Sequence, residues 1–250
     1  MEIVGVQLMG NNALVVDVQT RTFSAGTSEE LTAIERLKFA LPKNSFTCIV
    51  GPSGCGKTTT LRMILGLDTQ YQGRIELVGN GPVAAVFQEP RLLPWRSVEQ
   101  NVRLVLPPER QNESLDELFS VLGLGELRTF FPNQLSLGLA RRVALARAFV
   151  LKPQLLILDE PFVSLDEATA LRLRSLLLAL WKSQPTTALM VTHDIAEAAA
   201  MADQVLIFSE RPARLLHTLN IDTPRAERNQ AELDGIRQRI AQEIVSPIDT

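Results

Sequence analysis

Residues 51–58 combine glycines, a lysine and a threonine in a spacing that could hold a phosphate chain. They read, in order, Gly51, Pro52, Ser53, Gly54, Cys55, Gly56, Lys57 and Thr58, which fits G-x-x-x-x-G-K-[ST] and is followed by Thr59. Glycines let the backbone turn tightly, so that successive N–H groups point at phosphate oxygens. Lys57 would reach the β- and γ-phosphates of a nucleotide, and Thr58 would offer its hydroxyl to Mg²⁺. The pattern therefore predicts nucleotide binding.

Cys55 lies inside this pattern and admits two interpretations. The positive end of a following helix could lower the pKa of its thiol. Alternatively Cys55 is a bystander, since no base and no second thiol lie nearby in the sequence.

A second candidate for phosphate chemistry is the carboxylate pair Asp159 and Glu160, which follows four apolar residues, 155–158. Charges at the end of a buried strand are costly unless they meet a cation, so Asp159 is a candidate to hold Mg²⁺. Glu160 could polarise an attacking water. The alternative is a strand that simply emerges into solvent, and the phosphate-binding pattern upstream argues against it.

The elements that must position these residues alternate between strands and helices. The apolar run 46–50 predicts a buried strand that ends at the glycine-rich turn, and residues 58–67 predict the helix after it. Further strands are predicted at 14–18, 74–78, 83–87, 155–158, 188–191 and 205–208, and further helices at 113–124, 167–182 and 226–245. This alternation indicates an α/β fold with a parallel sheet.

Composition narrows the class of protein. The 250 residues are 46% hydrophobic and 21% charged, with a net charge of -3, which is typical of a globular protein and argues against a broadly basic nucleic-acid surface. No apolar run approaches the ~20 residues of a membrane helix, and the first residues lack the features of a signal peptide. The two cysteines have no metal-binding spacing. We expect an intracellular protein, and a peripheral membrane role is compatible with this composition.

Six elements, taken together in their order, resemble the ATP-binding subunits of ABC transporters over nearly the whole chain. The phosphate-binding pattern and the carboxylate pair are shared with many P-loop enzymes. Four elements are more specific: Gln88 after the strand 83–87, Ser136 and Gly138 within the signature at 135–139, the loop 164–166, and His193 after the strand 188–191. Each is weak alone, because a surface glutamine, a helix cap and a structural histidine are ordinary features. Their common order and spacing carry the resemblance.

The resemblance implies a fold and a domain organisation. It implies an α/β P-loop NTPase core with a mainly parallel sheet, antiparallel N-terminal strands and an inserted helical sub-domain. Residues 1–250 would form a single ATP-binding domain. Its nucleotide-binding core would comprise residues 1–88 and 149–225, its helical sub-domain residues 89–148, and its C-terminal helix residues 226–250.

The resemblance also implies how ATP and Mg²⁺ would be held. Two ATP-binding subunits would enclose two ATP molecules, and Ser136 and Gly138 of one would touch the γ-phosphate bound by the other. His193 would clamp that phosphate and the attacking water, and Gln88 would reach Mg²⁺. Asp166 would belong to the nucleotide site. Phe23 would stack on adenine, although a core aromatic is the alternative interpretation.

The partners implied are a transmembrane permease, a second ATP-binding subunit in a homodimer and, indirectly, a solute-binding protein, at the cytoplasmic face of the membrane. Nucleic acid is not among them. Alternatives are a non-transport ABC ATPase and a regulatory ATP-binding module that barely hydrolyses ATP. The former usually carries paired domains or long coiled-coil insertions, and the sequence has neither.

The signature departs from the family pattern at Leu137 and Leu139, where the consensus has glycine and glutamine. Leucine does not readily adopt positive φ or allow a close backbone approach. We therefore expect weaker ATP-driven dimerisation or slower turnover than in a consensus subunit. Pairing with a different subunit that carries a consensus signature is the alternative.

Residues 87–98, followed by Asn101 and Val102, resemble the nitrate/sulfonate/taurine import branch of the family. In that branch the segment lies near the contact with the membrane subunit. Trp95 and the Leu92–Leu93 pair could fill a groove around a helix of that subunit, or they could pack in the sub-domain core. The branch implies import of a small anionic or nitrogen- or sulfur-containing solute.

Overall fold

The computed structural model describes residues 11–24, 30–184 and 186–245. The strands of these residues are β1 (Asn12–Ser24), β2 (Glu30–Pro42), β3 (Phe46–Val50), β4 (Gln72–Leu77), β5 (Val83–Val86), β6 (Leu155–Asp159), β7 (Thr187–Thr192), β8 (Gln204–Phe208) and β9 (Leu215–Asn220). The helices are α1 (Lys57–Ile64), α2 (Val98–Arg103), α3 (Asp116–Leu122), α4 (Leu137–Phe149), α5 (Glu167–Ser183), α6 (Ile195–Met201) and α7 (Gln230–Val245). The chain forms two compact units, each with its own strands and helices.

The first unit comprises Met1–Asn80 and Thr187–Thr250. Strand β3 pairs in parallel with β7 and with β8, and β9 adds antiparallel to β8. Every residue of β3 and β7 is buried, as expected of central strands in a parallel sheet. A second sheet of this unit has the order β2-β1-β4 and is antiparallel, which confirms the antiparallel N-terminal strands. Together these sheets confirm the α/β fold class.

The C-terminal helix α7 packs against α6 and against strands β8 and β9 of the first unit. Its residues Ile236 and Ile240 are buried, which confirms a docked helix. It begins at Gln230 rather than at residue 226, because residues Arg225–Glu227 form a separate 3₁₀ turn.

The second unit comprises Gly81–Thr186. Strands β5 and β6 pair in parallel, with Val86 opposite Leu158, and helices α2 to α5 complete the unit. Helix α3 is shorter than the predicted 113–124, because Ser114 accepts a hydrogen bond from the Asp116 amide and Gly123 ends the helix at φ 64°. The division of the chain into a core and a helical sub-domain with the boundaries given above stays a prediction.

No helix of the described ranges is long and apolar enough to cross a membrane.

Candidate functional site

The predicted phosphate-binding loop lies between a buried strand and a helix. Strand β3 ends at Val50 and α1 begins at Lys57, so the glycine-rich residues form the turn between them. Gly56 precedes the helix at φ 128° and has no side chain with which to cap the first amides of α1. A helix N-terminus of this kind favours an anion through its amides and its dipole. The local structure therefore fits a phosphate-binding role.

Lys57 is folded into the bend of this loop. Its side chain is buried, with 5% of the residue exposed, and its ammonium donates hydrogen bonds to the carbonyls of Gly51 and Pro52 at 2.7 Å each. A buried ammonium is costly unless partners of this kind surround it. The loop therefore holds a positive charge at its centre, next to the exposed Thr58 and the half-buried Thr59.

Cys55 is buried under the loop, and burial raises the pKa of its thiol. The hypothesis of a lowered pKa beside the helix end is therefore wrong for this residue. Desolvation outweighs the nearby charges of Lys57 and Arg211, so Cys55 is protonated at neutral pH and is a packing residue.

His193 lies next to the phosphate-binding loop in the first unit. The parallel register places Val50, the last residue of β3, opposite Thr192, so the loop and His193 leave the sheet from neighbouring strand ends. The turn at His193 is held firmly: the Thr192 hydroxyl donates to Glu197 at 2.6 Å and accepts from the Asp194 amide. The exposed His193 side chain is thus carried on a fixed backbone beside the loop.

Phe23, the candidate for adenine stacking, lies at the end of β1 and is half-buried. The guanidinium of Arg21 sits 3.8 Å from the ring centroid, and Arg21 is held in turn by Asp68 at 2.9 Å. A cation already covers one face of the ring, which leaves one face for any other partner.

Gln88 and the carboxylate pair lie at one edge of the second unit. Val86 of β5 faces Leu158 of β6 in parallel register, so Gln88, two residues after β5, and Asp159, the last residue of β6, lie at neighbouring strand ends. Asp159 and Glu160 are half-buried and Gln88 is exposed. Glu160 has φ 45°, a conformation that residues other than glycine seldom adopt and that clusters at functional sites.

The strained turn after Glu160 is anchored by helix α4. Arg141, with only 3% of its surface exposed, donates from Nη1 to the carbonyl of Pro161 at 2.6 Å. A charge-assisted bond in a buried setting is among the stronger hydrogen bonds in proteins. Arg141 therefore fixes the backbone that presents Glu160.

Replacing Arg141 by methionine is expected to lower the free energy of unfolding by about 2 kcal/mol, because the Pro161 carbonyl loses its buried donor. We expect the ATPase rate to fall as well, since Glu160 is less firmly held. Urea unfolding and steady-state phosphate release measure the two effects. The control is Arg142→Met on the same helix, whose guanidinium makes a longer bond of 3.4 Å to Leu122. Equal losses in the two variants would refute the role of Arg141.

The signature residues open helix α4. Ser136 is the N-cap, and its hydroxyl accepts from the Leu139 amide at 3.3 Å. Gly138 is buried against α5, where an added Cβ would come within 2.7 Å of the Thr169 methyl group. Leu137 and Leu139 have ordinary helical backbone, so the expected difficulty with positive φ does not arise for them. The departure at residue 137 instead leaves an apolar side chain 43% exposed.

Asp166 acts as a helix cap in this structure. Its carboxylate accepts from the Thr169 amide at 3.0 Å and begins α5. The hydrogen bonds from Thr169 hold the pKa of the Asp166 carboxyl below its usual range. The side chain is exposed, and its role toward a nucleotide stays a prediction.

The segment after Gln88 is also organised by arginine and asparagine side chains. Arg147 of α4 donates to the carbonyls of Pro90 and Arg91 at 2.7 and 2.8 Å. The buried Asn101 accepts from the Leu93 amide at 2.8 Å and donates to nearby carbonyls. Trp95 is 71% exposed on this firmly held loop. The prediction that Trp95 packs in the sub-domain core is therefore wrong. The other prediction, that Trp95 contacts the membrane subunit, remains.

The structure thus brings the predicted residues together in two groups. One is the phosphate-binding loop with His193 in the first unit, and the other is Gln88 with Asp159 and Glu160 in the second. The supporting side chains Arg141, Arg147 and Asn101 were not predicted. The sequence signal for the two arginines was weak: they are two of the three arginines in an alanine-rich helix.

Comparisons with known proteins agree with this geometry. A family model described as ABC transporter matches residues 34–163. The aliphatic sulfonates import ATP-binding protein SsuB of Bacillus subtilis (strain 168) is 34% identical, covering 92% of this chain and 94% of the relative. The protein of the same name from Rhodopseudomonas palustris is 40% identical, covering 94% of this chain and 84% of the relative.

Solved structures give the same picture of the fold. The dimeric structure of the bacterial ABC transporter cassette MJ0796 is 25% identical with a TM-score of 0.72, covering 84% of this chain and all of that one. A structure titled as an ATP-binding subunit of an ABC transporter is 24% identical with a TM-score of 0.73, covering 94% of this chain and all of that one.

Proposed function

This chain belongs to the ABC transporter family, and we propose that it is the ATP-hydrolysing subunit of an importer for aliphatic sulfonates or chemically similar small anions. The observation that carries the ATPase function is the buried Lys57 at the centre of a glycine-rich loop between β3 and α1. The likeness to sulfonate-import subunits over more than nine-tenths of the chain supports the solute class.

The residues at the strand ends suit Mg²⁺ as the partner of ATP. Mg²⁺ prefers oxygen ligands and is usually held through one or two carboxylates, waters and substrate phosphates, without a dedicated cage. The family resemblance, and not the placement of the two units, is the ground on which we propose Thr58, Gln88 and Asp159 as the side chains that would hold it. When bound, Mg²⁺ neutralises charge that develops on the phosphates.

In hydrolysis the water oxygen bonds to the γ-phosphorus, and the bond between that phosphorus and the oxygen bridging to the β-phosphate breaks. A general base takes a proton from the attacking water during this step. We assign the role of base to the carboxylate of Glu160, and we assign the positioning of the water and the γ-phosphate to His193. Lys57 and the backbone amides of the loop residues hold the phosphates; in the stretch from Gly51 through Thr59, Pro52 shapes the turn without donating, because proline has no N–H. Phe23 contributes one ring face to the adenine.

A second ATP-binding subunit completes each site in this proposal. Ser136 and Gly138 of one copy face the nucleotide bound by the other, and Asp166 belongs to the nucleotide site. The dimeric state of a related cassette supports such pairing. Because the enclosing contacts depend on the γ-phosphate, ATP would favour the closed dimer and hydrolysis would release it.

Restoring the family signature tests this pairing. The double variant Leu137→Gly and Leu139→Gln is expected to raise ATP-induced dimerisation by about tenfold, because it replaces an exposed apolar side chain and adds a polar contact. The measurement is gel filtration or light scattering with ATP, in a Glu160→Gln background that slows hydrolysis. If dimerisation is unchanged, the departures at Leu137 and Leu139 do not weaken the pairing of identical subunits, and pairing with a different subunit is favoured.

The remaining partner is a transmembrane permease at the cytoplasmic face of the membrane, with a solute-binding protein reached only through it. The exposed Trp95 on its fixed loop supports a contact with that permease. Co-purification of the chain with a multi-helix membrane protein, and its loss in Trp95→Ala, test the contact.

The altered signature favours one alternative function, a regulatory module that barely hydrolyses ATP. A steady-state ATPase rate that Glu160→Gln abolishes would exclude this alternative.

A further inference from the structure

The turn between β8 and β9, residues 209–214, lies directly against the phosphate-binding loop of the same unit. Two loop glycines show how close the approach is. An added Cβ would lie 3.2 Å from Arg211 Nη2 at Gly54 and 3.0 Å from Ala213 Cβ at Gly56. At Gly51 it would lie 3.1 Å from Cβ of Phe208, the last residue of β8 before the turn. These distances are shorter than ordinary van der Waals contact, so the glycines serve this packing as well as the bend of the loop.

Arg211 makes the polar contact between this turn and the phosphate-binding loop. Its Nε and Nη2 atoms both donate to the carbonyl oxygen of Gly54, at 3.1 and 2.9 Å. Gly54 has φ 74°, in the left-handed region, so the carbonyl is held at the point where the loop reverses. In a trans peptide the C=O and the following N–H point in opposite directions. Fixing the Gly54 carbonyl therefore also orients the Cys55 amide, which donates to the Pro52 carbonyl at 3.3 Å and closes the bend.

The turn that carries Arg211 is itself firmly held. The backbone of Ala213 donates to Ala33 at 2.9 Å and accepts from Glu35 at 3.0 Å, which ties the turn to strand β2. The Ser209 hydroxyl accepts from the Arg214 amide at 2.9 Å and closes the turn. Arg211 thus reaches the loop from a fixed support.

We propose that Arg211 is a positioning residue for nucleotide binding, which holds the phosphate-binding loop in its bent conformation through the Gly54 carbonyl. The proposal rests on the nucleotide site proposed above and adds to it a residue more than a hundred positions away in the sequence. A loop already fixed in its binding conformation avoids an ordering cost when the phosphates bind. The guanidinium also places a positive charge beside a site for an anion.

The test is calorimetric titration with ADP and Mg²⁺ of the full-length chain and three variants. Arg211→Ala is expected to weaken binding about tenfold, the effect of losing a charge-assisted hydrogen bond on an exposed side chain. Arg211→Lys keeps the charge but offers a single donor geometry, so we expect about threefold weaker binding. The matched control is Arg214→Ala in the same turn, whose guanidinium pairs with Glu35 and whose loss should change affinity by less than about twofold.

Two further readouts separate positioning from general stability. Arg211→Ala should raise the KM for ATP about tenfold with kcat at saturation nearly unchanged. Without nucleotide, the loop amides near Gly54 should exchange hydrogen faster in Arg211→Ala than in Arg214→Ala.

Wild-type affinity and KM in Arg211→Ala would overturn the proposal, as would an equal loss in Arg214→Ala. If Arg211→Ala does not fold, wild-type affinity in Arg211→Lys, with wild-type exchange at the loop, would overturn it. Failure of the nucleotide site itself is distinguishable, because then the unmodified chain would bind no nucleotide and Lys57→Ala would behave as the wild type does.

Discussion

Replacing Glu160 by glutamine is expected to lower kcat for ATP hydrolysis by about 10²- to 10⁴-fold, the usual contribution of a general base. Glutamine preserves the size of the side chain, but it replaces one acceptor oxygen by an NH2 donor and cannot take a proton at neutral pH. ATP affinity should remain near the wild-type value, because Glu160 does not hold the phosphates in this account. Phosphate release under saturating ATP measures the rate, and calorimetry measures the affinity.

The control for this variant is Glu126→Gln, which changes an exposed carboxylate on the 3₁₀ turn Gly125–Leu127. It should keep the wild-type rate. If Glu160→Gln hydrolyses ATP as fast as the wild type, the proton acceptor is another group, and the strained backbone at residue 160 has a different cause.

Replacing Lys57 by alanine is expected to weaken ATP binding by about 10²-fold or more, since hydrogen bonds to charged groups contribute about 1.5–3 kcal/mol each. The variant removes the positive charge from the loop and also frees the carbonyls of Gly51 and Pro52, which Lys57 now holds at 2.7 Å. Both changes act against a triphosphate. Because Lys57 is buried, thermal unfolding must show that the variant remains folded at the temperature of the titration.

Lys38→Ala is the matched control for charge. Lys38 is exposed and pairs at 3.2 Å with Asp17, an ion pair of the kind that contributes little to stability. We expect unchanged ATP binding in this variant. Comparable losses of ATP affinity in the two lysine variants would indicate a general electrostatic effect instead of direct binding of the phosphates by the loop.

The strands that carry chemistry could be predicted from the sequence because their signals are local. The apolar runs before the glycine-rich loop, before Asp159 and before His193 correspond to β3, β6 and β7 within one residue at each end. Strand burial on both faces produces such uninterrupted apolar runs. The parallel registers that align the ends of β3 with β7 and of β5 with β6 follow from the same fold class.

Other elements were missed where the local signal is weak. Strand β9 carries polar residues such as His217 and Thr218, and it exists because it pairs with β8 at the sheet edge. The short helix α6 is rich in alanine. For these elements tertiary contacts decide the structure, and a window of the sequence does not contain them.

The supporting side chains could not be predicted from the sequence for the same reason, because they act through tertiary contacts. In sequence, Arg141 lies twenty residues from Pro161 and Arg211 lies 157 residues from Gly54. A resemblance to a family transfers motifs position by position, whereas these arginines work through backbone carbonyls that any residue type could provide. The exposed Leu137 is a related case, since only its place in α4 removes the expected strain.

The most direct test of the account is a calorimetric titration of the unmodified chain with ATP in the presence of Mg²⁺. We predict saturable binding of one ATP per chain, and its loss in Lys57→Ala. An unmodified, folded chain that takes up no ATP, or a Lys57→Ala variant that binds as tightly, would contradict the claim that residues 51–58 form the nucleotide site.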